Sequence, residues 1–179
     1  MKKLLCVIDY QNDFVDGALG FAGASSLEEG IEKKVREYLD AGHYVLFTRD
    51  THQQDYLNTR EGKSLPVVHC IEGTVEHQLY GALHQYEKSE QPKVRVINKE
   101  TFGAADIAFD VRQLCRGVPD EIELCGLVTD ICVVSNAILL FNAFTKSKVS
   151  VLSNLCGSSN NEGAKAALLV LQGLGIFVE

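Results

Sequence analysis

The 179-residue chain has no tryptophan, only three prolines and a single methionine. It also lacks a long hydrophobic run. The longest purely apolar stretches, such as Ala166–Leu171, fall far below the roughly 18 residues that a membrane-spanning helix needs. Its 15 glycines follow no fixed period, which argues against a collagen-like or proline-rich fibre. We therefore expect neither a membrane protein nor a fibrous one.

Clusters of basic residues are missing as well. The chain carries 17 Lys and Arg against 24 Asp and Glu, which gives a formal net charge of −7. A nucleic-acid partner is not expected, because it would require a basic face. The first apolar run, Leu4–Ile8, is shorter than the about seven to fifteen residues of a secretory signal. We therefore expect a cytoplasmic protein with reduced cysteines, and none of its six cysteines has the CxxC spacing of a zinc knuckle.

Short apolar runs alternate with longer helical patterns along the whole chain. The predicted strands are Lys3–Ile8, Tyr44–Thr48, Val94–Ile97, Glu121–Cys125, Val149–Leu152 and Ile176–Val178. The predicted helices are Leu27–Ala41, Thr74–Glu87, Ala105–Cys115, Asp130–Phe144 and Glu162–Leu174. Most strands are continuous apolar runs, which is typical of a parallel sheet buried on both faces. The pattern predicts a single α/β domain over residues 1–179, with helices on both faces of a parallel sheet.

Chemically useful side chains follow the first four predicted strands. Asp9 follows the first strand, Asp50 and His52 follow the second, Lys99 follows the third, and Cys132 lies shortly after the fourth. In an open parallel sheet, binding sites form beyond the carboxyl ends of the strands. We therefore expect these side chains to share one rim of the sheet.

Three of these side chains suit nucleophilic catalysis. Cys132 is predicted near the start of a helix, where unpaired amides and the helix dipole favour a thiolate; the alternative is an ordinary buried cysteine. Asp9 could accept the thiol proton and later return it to a leaving amine, or it could be a loop hydrogen-bonder. Lys99 could lower the thiol pKa, or it could be a solvated lysine at a strand end.

The irregular segment Arg49–Gly73 contains candidate metal ligands. Asp50 and His52 form an Asp-x-His pair, and His69 follows in the same segment. One carboxylate and two imidazoles suit a divalent transition metal such as zinc, iron or manganese. Glu61 is a possible additional ligand, with a solvated loop glutamate as the competing interpretation. A hydrogen-bonded cluster without metal is the alternative for the group as a whole.

Four segments, together with Lys99, carry a family resemblance: Val7–Phe14, Asp50–His52, His69–Thr74 and Gly126–Val133. With these segments the chain resembles the isochorismatase-like cysteine hydrolase family, and within it the nicotinamidases, over nearly its whole length. The resemblance implies a three-layer α/β/α fold with a six-stranded parallel sheet in the order 3-2-1-4-5-6.

The resemblance also implies roles for individual residues. It gives Asp9, Lys99 and Cys132 as the catalytic triad, and the backbone amides of Val128 and Cys132 as the oxyanion hole, with a cis peptide bond before Val128. It gives one divalent metal, with zinc expected first and iron or manganese as alternatives, and its ligands are Asp50, His52 and His69.

The implied reaction is hydrolysis of nicotinamide to nicotinate and ammonia through a cysteine thioester. Another small amide or ureido compound is the alternative substrate, because the aromatic residue that nicotinamidases usually place before the His-Cys pair is missing from Ser64–Val68. Phe14 is expected to form one wall of the substrate pocket, and Leu65 or Val67 the opposite wall. A catalytically silent binding protein is disfavoured by the intact triad. We also expect a homo-oligomer.

Overall fold

The computed structural model describes all 179 residues and contains one six-stranded parallel sheet. The strands, numbered along the chain, are β1 (Lys3–Ile8), β2 (Tyr44–Asp50), β3 (Val94–Lys99), β4 (Glu121–Leu127), β5 (Lys148–Gly157) and β6 (Phe177–Val178). Their order across the sheet is β3-β2-β1-β4-β5-β6. The predicted strands and the expected strand order are therefore confirmed, and most strands extend further toward their carboxyl ends than predicted.

Six α-helices accompany the sheet. They are α1 (Asn12–Val15), α2 (Glu28–Asp40), α3 (Arg60–Ser64), α4 (Ile107–Leu114), α5 (Val134–Ala143) and α6 (Asn161–Leu174). Buried side chains of α2 pack on one face of the sheet, and those of α4, α5 and α6 pack on the other. In β1, Leu4 and Cys6 belong to one core cluster while Leu5 and Val7 belong to the other. Both faces of the strand are thus buried in a three-layer α/β/α arrangement, which explains the continuous apolar run.

The helix predicted over Thr74–Glu87 is wrong. Only a short 3₁₀ helix, Gly81–Tyr86, forms there, and Gly81 has a φ of 53° that an α-helix cannot contain. The backbone pairs instead with the loop after β1, where Leu79 forms an isolated bridge with Gln11. The apolar spacing of this segment reflects contact with that loop rather than a helical face.

The helix predicted over Asp130–Phe144 has two parts. Residues Thr129–Val133 form a π-type turn, and the α-helix proper is Val134–Ala143. Cys132 therefore lies in the π-type turn that joins β4 to α5.

The two central strands approach very closely where they end. Gly126 in β4 pairs with Ile8 in β1 and has a φ of 114°, which side-chain-bearing residues rarely adopt. A Cβ atom at position 126 would overlap the carbonyl oxygen of Ile8. Glycine is required here so that the ends of β1 and β4 can lie side by side.

No helix in the structure is both long enough and apolar enough to cross a membrane.

Candidate active site

Asp9 lies directly after β1 and is fully buried. Its backbone has a φ of 45°, and its N–H donates to the carbonyl oxygen of Thr48 at 3.2 Å and to the Thr48 Oγ1 at 3.1 Å. The Thr48 hydroxyl donates in turn to Asp9 Oδ1 at 2.6 Å. These contacts with the neighbouring strand β2 fix the direction in which the carboxylate points.

Lys99 connects this carboxylate to a second one. Its Nζ lies 2.7 Å from Asp9 Oδ2 and 2.9 Å from Asp50 Oδ1, and it donates to the carbonyl oxygen of Thr101 at 3.1 Å. Lys99 stands in register with Asp50 on β2, so its side chain reaches past that strand to the end of β1. Burial alone would lower the pKa of Lys99, but the surrounding anionic groups raise it well above its usual value. The buried lysine is therefore charged.

Cys132 completes the group, with its Sγ 3.7 Å from Lys99 Nζ and only 2% of the residue exposed. Burial raises the pKa of the Cys132 thiol well above its usual value; Lys99 lowers it, and Asp9 adds to the rise. Burial also raises the pKa of Asp9, against the opposing effect of Lys99. Burial and the Asp9 carboxylate thus oppose ionisation of the Cys132 thiol, and Lys99 favours it.

The three predicted metal ligands lie together at the ends of β2 and the following loop. Ligand atoms of Asp50, His52 and His69 all lie within 4.8 Å of one another, and all three residues are buried. Asp50 Oδ2 is 3.0 Å from His52 Nε2 and 3.2 Å from His69 Nε2. Burial would raise the pKa of Asp50, but Lys99 and the two histidines hold it below its usual value, so the carboxylate is ionised.

The donor set fits a divalent metal. His69 Nδ1 lies 2.7 Å from the carbonyl oxygen of Val67, which acts only as an acceptor, so Nδ1 carries a proton. In the neutral ring, Nε2 then presents a lone pair toward the Asp50 oxygen. Separations of about 3 Å between ligand atoms are those expected when each atom binds one ion at roughly 2.0–2.2 Å. The three residues could therefore hold a metal ion.

Neighbouring side chains fix these ligands in place. The Tyr56 ring centroid lies 4.3 Å from that of His52 and 4.9 Å from that of His69. Gln11 accepts a hydrogen bond from the backbone N–H of Asp50 at 2.7 Å and donates to the Asp50 carbonyl oxygen at 2.9 Å. Such supporting contacts restrict ligand orientation before an ion binds.

Glu61 does not fit one of its two interpretations from the sequence. It is only 6% exposed, so it is not a solvated loop residue. It is not part of the close group formed by Asp50, His52 and His69; its Oε1 accepts a hydrogen bond from the backbone N–H of Phe102 at 2.8 Å, and its buried Oε2 has no hydrogen-bond partner. Glu61 as a possible additional metal ligand therefore stays a prediction.

A cavity of about 80 Å³ opens next to these groups. Its lining residues are Phe14, Leu19, Asp50, Leu65, His69, Phe102, Val128, Ile131, Cys132 and Ser159. The volume is several times the roughly 10–15 Å³ that one water requires, which is room for a small molecule. Phe14 and Leu65 line the cavity as expected, Val67 does not, and Phe102 adds a second aromatic side chain. Val128, which follows a cis peptide bond, also lines it.

Sequence reasoning missed Thr48, Phe102 and Asn136. Asn136 is fully buried in α5, and its Nδ2 donates to the carbonyl oxygens of Cys132 at 2.8 Å and Phe102 at 3.2 Å. Its Oδ1 accepts from the N–H of Ala104 at 2.9 Å. An asparagine one turn after Cys132, in a largely apolar helix, is the signal that could have identified it.

Comparisons with known proteins agree with this geometry. A family model described as "Isochorismatase domain" matches residues 3–178. A Bacillus subtilis (strain 168) protein named uncharacterized isochorismatase family protein PncA is 35% identical, over 94% of this chain and 93% of the relative. The crystal structure of nicotinamidase PncA from Bacillus subtilis is similar, with a TM-score of 0.85 and 33% sequence identity, and the match covers 99% of each chain. The crystal structure of pyrazinamidase/nicotinamidase from Streptococcus mutans UA159 is also similar, with a TM-score of 0.85 and 32% identity, and the match covers 99% of this chain and 100% of that one.

Proposed function

The chain belongs to the isochorismatase family, and from this and the site geometry we propose that it is a cysteine-dependent amidohydrolase that converts nicotinamide to nicotinate and ammonia. One observation carries the proposal. The same cavity is lined by a thiol, Cys132, and by two of the three metal-type ligands, Asp50 and His69. A nucleophile and a site for a ring nitrogen at one small cavity suit a heteroaromatic amide. The relatives named as nicotinamidases support this choice of substrate.

The proposed reaction begins with proton transfer from the Cys132 thiol to the Asp9 carboxylate. The sulfur then forms a bond to the amide carbon, and the electron pair of the C=O double bond moves to oxygen. The backbone N–H groups of Val128 and Cys132 stabilise this oxyanion. When the intermediate collapses, the C–N bond breaks, and Asp9 gives its proton to the departing ammonia.

A water molecule completes the cycle by attacking the thioester. Asp9 accepts a proton from the water, the C–S bond breaks, and the proton returns to the Cys132 sulfur as nicotinate leaves. Lys99 holds the Asp9 carboxylate at 2.7 Å throughout and partly offsets the negative charge that develops on sulfur. Its own proton is not required, because its pKa stays well above the usual value.

We propose that Asp50, His52 and His69 hold one divalent transition metal. Zinc is our choice because its common protein ligands are imidazole nitrogens and carboxylate oxygens; iron and manganese accept the same ligands. Such an ion, when bound, supplies a Lewis-acidic position that binds a ring nitrogen and thereby orients the substrate.

The cavity walls support a flat, ring-shaped substrate. Phe14 and Phe102 are aromatic, while Leu65, Val128 and Ile131 are aliphatic. Offset or edge contacts of aromatic rings contribute about 0.5–1.5 kcal/mol beyond the burial of area. Phe102 can therefore replace part of the contact that the aromatic residue missing from Ser64–Val68 would make.

The test is ammonia release from nicotinamide, pyrazinamide and benzamide, measured on the purified protein before and after chelation, with metal content determined in each sample. We expect turnover of the first two and little turnover of benzamide, which lacks the ring nitrogen. We also expect chelation to reduce turnover, because orientation by the ring nitrogen would be lost. Equal rates on nicotinamide and benzamide would contradict the metal's role. Turnover of only an aliphatic amide or a ureido compound would establish the alternative substrate class.

Three further expectations belong to this proposal. Residues 1–179 form one domain around the single sheet. The reaction takes place in a reducing compartment, the cytoplasm, which is supported by six cysteines that are all free of disulfides. The protein acts on a small-molecule amide as a homo-oligomer, which light scattering coupled to gel filtration would measure.

A further inference from the structure

Asn136 is a fully buried polar side chain of α5 that the proposed mechanism does not use. Its Nδ2 donates to the carbonyl oxygen of Cys132 at 2.8 Å and to that of Phe102 at 3.2 Å, and its Oδ1 accepts from the N–H of Ala104 at 2.9 Å. A buried amide is unfavourable unless its hydrogen bonds are made. Here each of the two N–H hydrogens has an acceptor, so three distant backbone groups meet at one side chain.

The side-chain amide binds the chain on both sides of Gly103. Its acceptor is the Phe102 carbonyl, and its donor is the Ala104 N–H. Gly103 itself lies directly against α5, because a Cβ atom there would be 2.8 Å from Leu139 Cδ1 and 3.3 Å from Ser135 Cβ. The amide therefore fixes the segment that carries the Phe102 ring into the lining of the cavity.

The Cys132 peptide is held from two directions. The N–H groups of Ile131 and Val133, its neighbours in the chain, both donate to the carbonyl oxygen of Val128, at 3.2 Å and 3.1 Å. Asn136 holds the Cys132 carbonyl from the other direction at 2.8 Å. These contacts together orient the thiol and the backbone N–H of the residue that the proposed mechanism uses as nucleophile and oxyanion donor.

Lys99 joins the same two parts of the site by a second route. Its Nζ lies 3.7 Å from Cys132 Sγ and donates to the carbonyl oxygen of Thr101 at 3.1 Å, directly before Phe102 in the chain. The nucleophile and the aromatic wall are therefore joined twice, once through the charged Lys99 and once through the neutral Asn136.

We propose that Asn136 is a positioning residue that holds the Cys132 nucleophile and the Phe102 wall in one fixed arrangement. The inference rests on the proposed function for its kinetic consequences. The bond to the Cys132 carbonyl sets the attack on the amide carbon, so its loss lowers kcat. The bonds to the Phe102 segment set a wall that contacts the substrate ring, so their loss raises KM.

The experiment compares Asn136→Leu with Asn136→Ser. Leucine has a similar volume and makes none of the three bonds, so kcat should fall, KM for nicotinamide should rise, and kcat/KM should drop about 10²-fold. A serine hydroxyl can donate to the carbonyl four residues earlier, as Ser135 does to Ile131 at 2.6 Å. Serine cannot reach the Phe102 segment, so this variant should keep kcat within about threefold and show only the rise in KM.

Asn142→Leu is the matched control. Asn142 lies in the same helix and its Nδ2 also donates to the carbonyl four residues earlier, that of Ile138 at 2.8 Å, but it is exposed to solvent. Its kcat and KM should both stay within about twofold of the original, because the lost bond faces water.

Two NMR readouts do not depend on turnover. Amide hydrogen exchange should show lost protection at the Ala104 N–H in both Asn136 variants and retained protection in Asn142→Leu. The carbonyl ¹³C shift of Cys132 should change in Asn136→Leu and stay close to the original in Asn136→Ser. Circular dichroism checks that each variant is folded.

Three results would overturn the inference: retained Ala104 protection in both Asn136 variants, an unchanged KM in Asn136→Ser, or an Asn142→Leu variant that reproduces the loss of kcat/KM. If Asn136→Leu does not fold, the serine variant carries the test through its KM and its Ala104 exchange. If the original protein does not hydrolyse nicotinamide, the proposed function fails, and the two NMR readouts still decide whether Asn136 holds both segments.

Discussion

Replacing Lys99 by methionine removes one ammonium group from between two buried carboxylates. Met keeps most of the side-chain volume, so the change is mainly electrostatic. Lys99 is 4% exposed, and its Nζ lies 2.7 Å from Asp9 Oδ2 and 2.9 Å from Asp50 Oδ1. Removing one partner of a buried ion pair costs about 3–5 kcal/mol, because the remaining charge has no compensation. Both contacts share one ammonium, so their losses do not add, and we expect about 4 kcal/mol.

The assay is urea unfolding followed by far-UV circular dichroism at neutral pH, with equal metal content in all samples. Lys148→Met is the matched control. It removes a lysine that lies 2.8 Å from Glu179, with both side chains 44% exposed. Exposed pairs contribute about 0–1 kcal/mol, so the control should lose less than about 1 kcal/mol. If Lys99→Met loses no more free energy of unfolding than the control, the buried bridge does not stabilise the fold as argued.

Two further predictions concern the reaction. Cys132→Ala should reduce kcat by at least about 10³-fold while the protein remains folded, because the nucleophile is lost. The control variant Cys156→Ala should keep its activity. Equal activity of the two variants would exclude Cys132 as the nucleophile. As pH falls, kcat/KM for nicotinamide should begin to decline above the ordinary carboxyl pKa of about 4, because Asp9 must be ionised to accept a proton and its pKa is raised by burial. A pH series with metal content measured at each point tests this, and a rate that is constant down to pH 4 would contradict it.

The strands could be predicted because a fully buried parallel strand leaves a continuous apolar run in the sequence, as in Leu4–Ile8. Such runs do not specify which strands are neighbours, so the strand order came from the family resemblance. The helix predicted over Thr74–Glu87 failed for a tertiary reason: the segment makes its hydrogen bonds to the loop after β1, including the N–H of Tyr80 to the carbonyl oxygen of Tyr10 at 2.9 Å. Apolar spacing alone cannot distinguish that contact from a helical face.

The polar groups at the rim of the sheet could be predicted because strand ends of a parallel sheet share one edge. The residues that support them could not, since their contacts join distant parts of the chain. Thr48 is 39 residues from the Asp9 carboxylate it contacts, and Asn136 is 34 residues from Phe102. The rise in the pKa of the Cys132 thiol could not be predicted either, because its largest cause is burial in the folded protein.

The close approach at Gly126 determines how much variation this molecule tolerates. Any other residue there combines an unfavourable positive φ with overlap against Ile8, although Gly126 is not among the residues that line the cavity. In a library of all single substitutions scored by activity, Gly126 and Cys132 would therefore look equally intolerant. The amount of folded protein in the cell separates them: variants at 126 are depleted because β1 and β4 no longer fit together, whereas Cys132→Ala accumulates as an inert, intact protein.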